Sequence, residues 1–119
     1  MIETQIRDGN FLFFAFEAKV FNTPKPVSFI ERILELATNP NSIVLDSFAG
    51  SGTTAHSVLN LNKQDGGTRK FILIQMTEIG KEGEKINICE TITAERVTRV
   101  INGYSDKEGT GGSFDYYEL

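Results

Sequence analysis

The chain has 119 residues, of which 39% are hydrophobic, and its formal net charge is −4. This length allows one domain, near the lower size limit for an independent hydrophobic core, and excludes a second complete domain. Acidic and basic residues are mixed along the sequence without a basic run, which excludes a free-standing nucleic-acid clamp. The single cysteine, Cys89, cannot form an internal disulfide, and we therefore expect a reducing, cytoplasmic environment.

The N-terminal third predicts a strand followed by a helix. The apolar run Phe11-Leu-Phe-Phe-Ala-Phe16 is too short to span a membrane and has no basic region before it, so we expect neither a membrane segment nor a signal peptide. We predict extended structure over residues 11 to 21, with the Phe-rich run in a core or an interface. Thr23-Pro24-Lys25-Pro26 ends this strand, since proline fixes φ. An amphipathic helix then runs to about Thr38, with its apolar stripe at Val27, Ile30, Leu34 and Ala37.

The middle of the chain predicts a strand, a helix and a second strand. Ser42 to Asp46 is a short apolar run, which leads through a glycine-rich turn into a helix from about Thr53 to Leu61. Residues 62 to 69 contain Gly66-Gly67 and predict a loop, and Phe71 to Met76 predicts a buried strand. Short connections between these elements predict a right-handed parallel βαβ unit, and hence an α/β fold.

The C-terminal third predicts one more helix. Residues 79 to 84 are polar and contain glycine, which indicates a loop. Apolar groups spaced along residues 88 to 101 predict a helix that ends at Gly103. After a flexible stretch at residues 109 to 112, the alternation in Phe114 to Leu119 predicts a terminal strand.

The turn after the first βαβ strand has the composition of a nucleotide-binding loop. Gly50 and Gly52 allow positive φ and close approach of a ligand to the first turn of the following helix. Gly50-x-Gly52-x-x-Ala55 matches a dinucleotide fingerprint, but the next strand delivers Gln75 where an acidic ribose ligand is expected. A P-loop is rejected because no lysine follows the turn.

A third interpretation explains the acidic residue before the turn. Asp46 ends the strand and places a carboxylate beside the loop, where it would repel a pyrophosphate and attract a cationic or amino-bearing ligand. S-adenosylmethionine carries both a sulfonium and an amino group. The residues therefore favour S-adenosylmethionine as the cofactor.

Two stretches resemble motifs of the beta class of amino-methylating DNA methyltransferases. Leu45-Asp-Ser-Phe-Ala-Gly-Ser-Gly-Thr-Thr54 resembles their motif I, and Phe21-Asn-Thr-Pro-Lys-Pro-Val-Ser-Phe-Ile30 resembles their motif X, in the order of that class. The sequences of these motifs are most similar to those of modification subunits of type III restriction-modification systems, which methylate adenine at N6. The similarity continues through Gly66 to Leu73 and the late helix, and it implies the βαβ half of a Rossmann-like methyltransferase fold.

The resemblance also implies a set of cofactor-binding residues. Motif I residues would cradle the methionine half of S-adenosylmethionine, Lys25 would lie near its carboxylate, and Gln75 stands at the usual position of an acidic ribose ligand. Ser47 replaces the usual proline of motif I. The implied set is Thr23, Lys25, Asp46, Phe48, Gly50, Ser51, Gly52, Thr53, Thr54 and Gln75.

The resemblance implies that a catalytic part lies outside this chain. N6-adenine methyltransferases similarly carry an Asp-Pro-Pro-Tyr-type motif that holds a flipped base, and this chain has prolines only at positions 24, 26 and 40. We assign no catalytic residue and no metal ligand. Residues 1–20 are interpreted as an N-terminal extended segment and residues 21–119 as the cofactor-binding part of the methyltransferase domain, without the catalytic motif and the target-recognition region.

The partners implied by the resemblance are DNA in the full-length enzyme, the missing N-terminal methyltransferase half and a restriction subunit. A half-sheet without its other strands is prone to pair, so a homodimer is also expected as an option. By itself the chain is expected to be inactive in methyl transfer. Two other functions are weighed: a non-catalytic module that assembles with a separately encoded catalytic half, and a small nicotinamide-dependent oxidoreductase. His56 is interpreted as a packing or surface histidine rather than a catalytic one. Packing rather than base stacking is likewise the interpretation of three tyrosines, Tyr104, Tyr116 and Tyr117.

Overall fold

In the computed structural model the described residues are 2–7, 11–16 and 26–119, and the first two ranges are described by their backbone alone. Four strands form one sheet in chain order: β1 (Ile2–Arg7), β2 (Phe11–Phe16), β3 (Ile43–Asp46) and β4 (Lys70–Leu73). β1 is antiparallel to β2, whereas β2, β3 and β4 are mutually parallel. The carboxyl ends of the parallel strands therefore share one edge of the sheet, where Asp46 is in register with Phe14 and Leu73.

Three helices and two short strand pairs complete the described part of the fold. The helices are α1 (Val27–Ala37), α2 (Thr53–Asp65) and α3 (Ala94–Asn102), and a π-helical turn, Cys89–Thr93, leads directly into α3. Two antiparallel pairs stand apart from the main sheet: β5 (Glu78–Ile79) with β6 (Lys85–Ile86), and β7 (Gly103–Tyr104) with β8 (Lys107–Glu108).

α2 is the centre of the packing, because it contributes to two buried clusters. The first joins α1, α2 and β3 through Ile30, Leu34, Val44, Val58 and Leu61. The second joins α2 and α3 through Ala55, Leu59, Val97 and Val100, and Phe71 of β4 packs against both clusters. Burial of one aliphatic side chain contributes about 1.5–3 kcal/mol, so α2 is held firmly between α1 and α3.

The opposite face of the sheet is exposed within residues 26–119. Val44 and Asp46 of β3 are buried, whereas Ile43 is 38% exposed. On β4 and just after it, Ile72 and Ile74 are each 49% exposed. Parallel sheets are normally covered on both faces, so this apolar face is unusual for a folded chain.

The predicted α/β class and the parallel βαβ unit are confirmed by β3, α2 and β4. The amphipathic helix is confirmed as α1. The predicted helix end near Leu61 is wrong, because α2 continues to Asp65. Its stop is Gly66, which has φ of 70° and donates its N–H to the carbonyl of Asn62 at 2.8 Å.

The C-terminal third differs more from expectation. The helix predicted over residues 88 to 101 is confirmed, with a π-helical first turn. The loop predicted over residues 79 to 84 is the turn of the β5–β6 hairpin. The predicted terminal strand over residues 114–119 is wrong, because those residues form no strand, although Phe114 packs against the second cluster.

The N-terminal prediction is confirmed in part. Residues 11–16 form β2, while residues 17–25 lie outside the described part of the chain, as does most of the proline-containing stretch. β1 lies within the segment 1–20 that was interpreted as extended, but it was not predicted as a separate strand. Across the described ranges no helix is long and apolar enough to cross a membrane.

Candidate functional site

The glycine loop, residues 47–52, connects β3 to α2 at the carboxyl edge of the parallel strands. Gly50 has φ of 53°, and Gly52, the N-cap of α2, has φ of 83°. Gly52 donates its N–H to the carbonyl of Ala49 at 2.9 Å and accepts the N–H of His56 at 3.1 Å. Left-handed backbone at two positions requires glycine. The loop therefore folds as a tight turn against the first turn of α2.

Asp46, the last residue of β3, binds both the start of the glycine loop and the first turn of α2 through its side chain. Its side chain is 2% exposed, and Oδ1 accepts the N–H of Phe48 at 3.0 Å. Oδ2 accepts the hydroxyl of Thr54 at 2.6 Å. Hydrogen bonds to a carboxylate are short and strong. Asp46 therefore ties both ends of the glycine loop together, a role that its position in the sequence did not reveal.

The end of β4 holds the loop from its other side. Gln75 Oε1 accepts the N–H of Gly50 at 2.9 Å, and Ala49 donates its N–H to the carbonyl of Ile74 at 3.0 Å. Gln75 Nε2 donates to the carbonyl of Met76. Gln75 thus contacts the loop backbone, and its predicted role as a ribose ligand stays a prediction.

The structure brings most of the predicted site residues together. Phe48 is 45% exposed at the loop, Ser51 is half-buried, and Thr53 and Thr54 are buried. The residues gathered at this edge of the sheet are Asp46, Phe48, Gly50, Ser51, Gly52, Thr53, Thr54 and Gln75. Thr23 and Lys25 lie outside the described residues, so their predicted roles stay predictions.

Two residues of the late helix contact the loop and were missed by sequence reasoning. Arg96 Nη1 donates to Ser51 Oγ and to Thr53 Oγ1, each at 2.9 Å. Thr93 Oγ1 donates to the carbonyl of Gly50 at 2.6 Å. More than 40 residues separate the partners in sequence, and neither residue belongs to a motif. The only signal was their position beside the apolar stripe that contains Val97.

His56 is buried between α2 and α3. Burial, then the charge of Arg96, then that of Lys107 lowers the pKa of His56 from 6.5 to about 4. The imidazole is therefore neutral at pH 7, and its Nδ1, 3.2 Å from Arg96 Nη2, must accept because a guanidinium only donates. Its ring meets Tyr104 edge-on at 6.2 Å. His56 is therefore a packing residue rather than a surface one, and its lack of a catalytic role stays a prediction.

The tyrosines divide into two groups. Tyr104 is half-buried and packs against the second cluster. Tyr116 is 39% exposed and its hydroxyl contacts Glu118, while Tyr117 is 80% exposed. The packing interpretation is therefore wrong for Tyr117, because the strand expected to hold it does not form.

A groove of about 450 Å³ lies beside the site, between α2, the π-helical turn and α3. Its walls include His56, Ile92, Arg96, Arg99 and Tyr104. Within residues 26–119 and the two N-terminal strands, no group of three or more His, Cys, Asp or Glu residues could hold a metal ion. The site therefore offers backbone N–H groups, hydroxyls and a buried carboxylate, which suit the binding of a polar organic ligand.

Comparison with known proteins decides the family. The family model described as DNA methylase, of the N6/N4 type, matches residues 3–88. The chain belongs to this DNA methylase family. The match includes β1 from its second residue, β2 to β4, α1, α2 and the whole glycine loop.

Relatives of this chain include modification subunits. The StyLTI Mod subunit of a type III restriction-modification enzyme from Salmonella typhimurium is 45% identical over 91 residues, covering 71% of the chain and 14% of that protein. The EcoP15I Mod subunit from Escherichia coli is 34% identical over 104 residues, covering 83% of the chain and 15% of that protein. The predicted resemblance to type III modification subunits is confirmed. The chain spans about a seventh of the length of these relatives.

Among solved structures, a crystal structure of an M1.HpyAVI–SAM complex is 35% identical, with a TM-score of 0.46. That similarity covers 66% of the chain and 31% of M1.HpyAVI.

Proposed function

We propose that this chain is the S-adenosylmethionine-binding portion of a site-specific DNA (adenine-N6) methyltransferase of a type III restriction-modification system. The observation that carries the proposal is the glycine loop: a left-handed Gly50 and Gly52 at the carboxyl edge of a parallel sheet, with the buried carboxylate of Asp46 beneath them. The loop lies inside the range that the family model matches.

The residues present fit this cofactor. α2 presents first-turn N–H groups without intrahelical acceptors, which suit a carboxylate. The negative charge of Asp46 favours a cationic ligand over a pyrophosphate. Gly52 permits the left-handed turn at the start of α2, where φ is 83°, and its missing side chain leaves room for Thr93 of the π-helical turn. Bound S-adenosylmethionine supplies an electrophilic methyl group.

Methyl transfer needs residues beyond those that hold the cofactor. Bound S-adenosylmethionine would supply the methyl group to the adenine amine, so a second set of residues would have to hold the adenine beside it. We assign the holding of the flipped adenine to the N-terminal methyltransferase half, and the chain is inactive without it. The relatives are named Mod subunits of restriction-modification enzymes, which supports DNA as substrate and a restriction subunit as partner.

Calorimetry tests the cofactor assignment. The chain is titrated with S-adenosylmethionine, and separately with NADH, which tests the nicotinamide alternative. We expect heat of binding with S-adenosylmethionine and none with NADH. Asp46→Asn removes the charge with little change in shape, and it should weaken binding at least tenfold, about 1.4 kcal/mol. Asp106→Asn, in the exposed β7–β8 turn, is the matched control and should not. Equal affinity of the two variants for S-adenosylmethionine would contradict the proposed role of Asp46.

The exposed sheet face favours a second candidate, a module that assembles with a separately encoded catalytic half. Ile43, Ile72 and Ile74 present apolar surface opposite the helices, and such a face is stabilised when another element covers it. The chain is mixed with a polypeptide carrying the Asp-Pro-Pro-Tyr region, and methyl transfer to DNA is measured. Activity of the mixture, absent from either part, supports assembly; Ile72→Lys should abolish it, and undiminished activity of that variant argues against this face.

Association of the chain with a second copy is tested separately. Analytical ultracentrifugation over a range of concentrations distinguishes a homodimer from a monomer, and Ile72→Lys then reports whether the same face is used.

A further inference from the structure

We propose that Arg96 is a positioning residue that sets the conformation of the glycine loop from α3, so that affinity for the cofactor depends on it. This inference rests on the proposed function, because it concerns the same site. Arg96 lies far from the loop in sequence and outside the range matched by the family model, which ends at residue 88.

The guanidinium of Arg96 contacts the loop and the start of α2 together. Nη1 reaches Ser51 Oγ and Thr53 Oγ1, each at 2.9 Å, and the carbonyl of Ser51 at 3.4 Å. Nη2 meets the Nδ1 of His56 at 3.2 Å. These partners lie on both sides of Gly52, the residue with left-handed backbone. One planar group therefore fixes the loop relative to the helix, which a flexible ammonium cannot reproduce.

The charge of Arg96 is not neutralised by a neighbouring acid among the residues that the structure describes, since its hydrogen-bond partners are hydroxyls, a carbonyl and an imidazole. The ion pairs on α3 instead involve Arg99, which contacts Glu95 at 2.7 Å. Burial lowers the pKa of Arg96, but a guanidinium stays protonated at neutral pH. A positive charge thus lies against the loop and is held by neutral groups of the loop and of α2.

The π-helical turn brings α3 close enough for these contacts. Thr93, its last residue, donates to the carbonyl of Gly50 at 2.6 Å. A Cβ on Gly52 would lie 3.3 Å from Thr93 Cγ2 and 3.4 Å from the Thr93 carbonyl oxygen. The turn therefore packs directly on the loop backbone. π-helical turns frequently occur at functional sites, and here the turn places Arg96 one helical turn beyond the contact.

Binding measurements on three variants test this role. Arg96→Met removes the hydrogen bonds and the charge, and Arg96→Lys keeps the charge but loses the planar fork. Arg99→Met, on the exposed side of the same helix, is the matched control. Each variant is titrated with S-adenosylmethionine by calorimetry, and ¹H–¹⁵N spectra of the ligand-free chain report whether it is folded and whether the Ser51 amide has moved.

We expect Arg96→Met to weaken binding at least tenfold, Arg96→Lys to weaken it about threefold to tenfold, and Arg99→Met to leave it unchanged. In both Arg96 variants the amide resonance of Ser51 should differ from that of the wild-type chain even without ligand. If Arg96 contributed only to stability, a variant that still folds would not need to show this difference. If Arg96→Met does not fold, the affinity of Arg96→Lys for S-adenosylmethionine tests the inference. Wild-type affinity in a folded Arg96 variant overturns the inference and leaves the proposed function standing. Absence of binding to the wild-type chain overturns the proposed function, and this inference with it.

Discussion

Replacing Gly52 by alanine tests how closely the π-helical turn packs on the glycine loop. The backbone at Gly52 has φ of 83°, and an L-residue in left-handed conformation costs about 1–2 kcal/mol. The added Cβ would also stand 3.3 Å from Thr93 Cγ2 and 3.4 Å from the Thr93 carbonyl oxygen. The neighbours must move by a few tenths of an ångström, and overpacking adds about 1–3 kcal/mol.

Gly83→Ala supplies a matched control, because Gly83 has φ of 82° and no atom within 4 Å of its Cβ position. Both substitutions lower the entropy of the unfolded chain equally. We expect Gly83→Ala to destabilise by about 1 kcal/mol and Gly52→Ala by about 2–4 kcal/mol. Urea denaturation followed by circular dichroism measures both, and a slope of about 1–3 kcal/mol/M converts the midpoints. Equal losses of stability would refute the close packing of Thr93 on Gly52.

Three further predictions concern stability. Thr54→Val removes the 2.6 Å hydrogen bond to the carboxylate of Asp46, and urea denaturation should show a free energy of unfolding lower by about 1.5–3 kcal/mol. A decrease of less than about 0.5 kcal/mol, the low end for any hydrogen bond, would contradict a stabilising role of this bond. Arg69→Met removes a side chain that is 4% exposed and pairs at 2.9 Å with Asp65, whose side chain is 35% exposed and stays solvated; a loss of about 1–2 kcal/mol is expected in the same assay, and an unchanged midpoint contradicts it. Because the pKa of His56 is about 4 in the folded chain and 6.5 ordinarily, the unfolded chain binds the extra proton between these values. Stability should therefore fall as pH drops from 6.5 to 4, by at most about 3 kcal/mol, and a pH series on His56→Gln should lack that component; identical pH profiles would contradict it.

Local signals explain which parts of the fold were predictable. β3, the glycine loop and the start of α2 follow from an apolar run, two glycines and a helical pattern that are adjacent in sequence. α1 follows from its apolar spacing and from Pro26 before it. The end of α2 was misplaced because Asn62 and its polar neighbours do not break a helix, and only the left-handed Gly66 stops it.

Contacts between distant residues explain what was not predictable. The terminal alternation in residues 114–119 indicated a strand, but none of the strands that the structure describes pairs with it, so the period alone was insufficient. Arg96 was assigned to no role because nothing local marks it, and its partners Ser51 and Thr53 lie more than 40 residues away. The site was therefore recognisable by its motif, whereas the residues that shape it from α3 required the structure.

If the glycine loop holds S-adenosylmethionine, ¹H–¹⁵N correlation spectra recorded during a titration with this cofactor should show the contact at the loop amides. The largest shifts are expected at the amides of Gly50, Ser51 and Gly52, and S-adenosylhomocysteine, which lacks the methyl group, should shift the same amides. Saturating cofactor that leaves these three amides unmoved, or moves only the groove residues around Tyr104, would contradict this role of the loop.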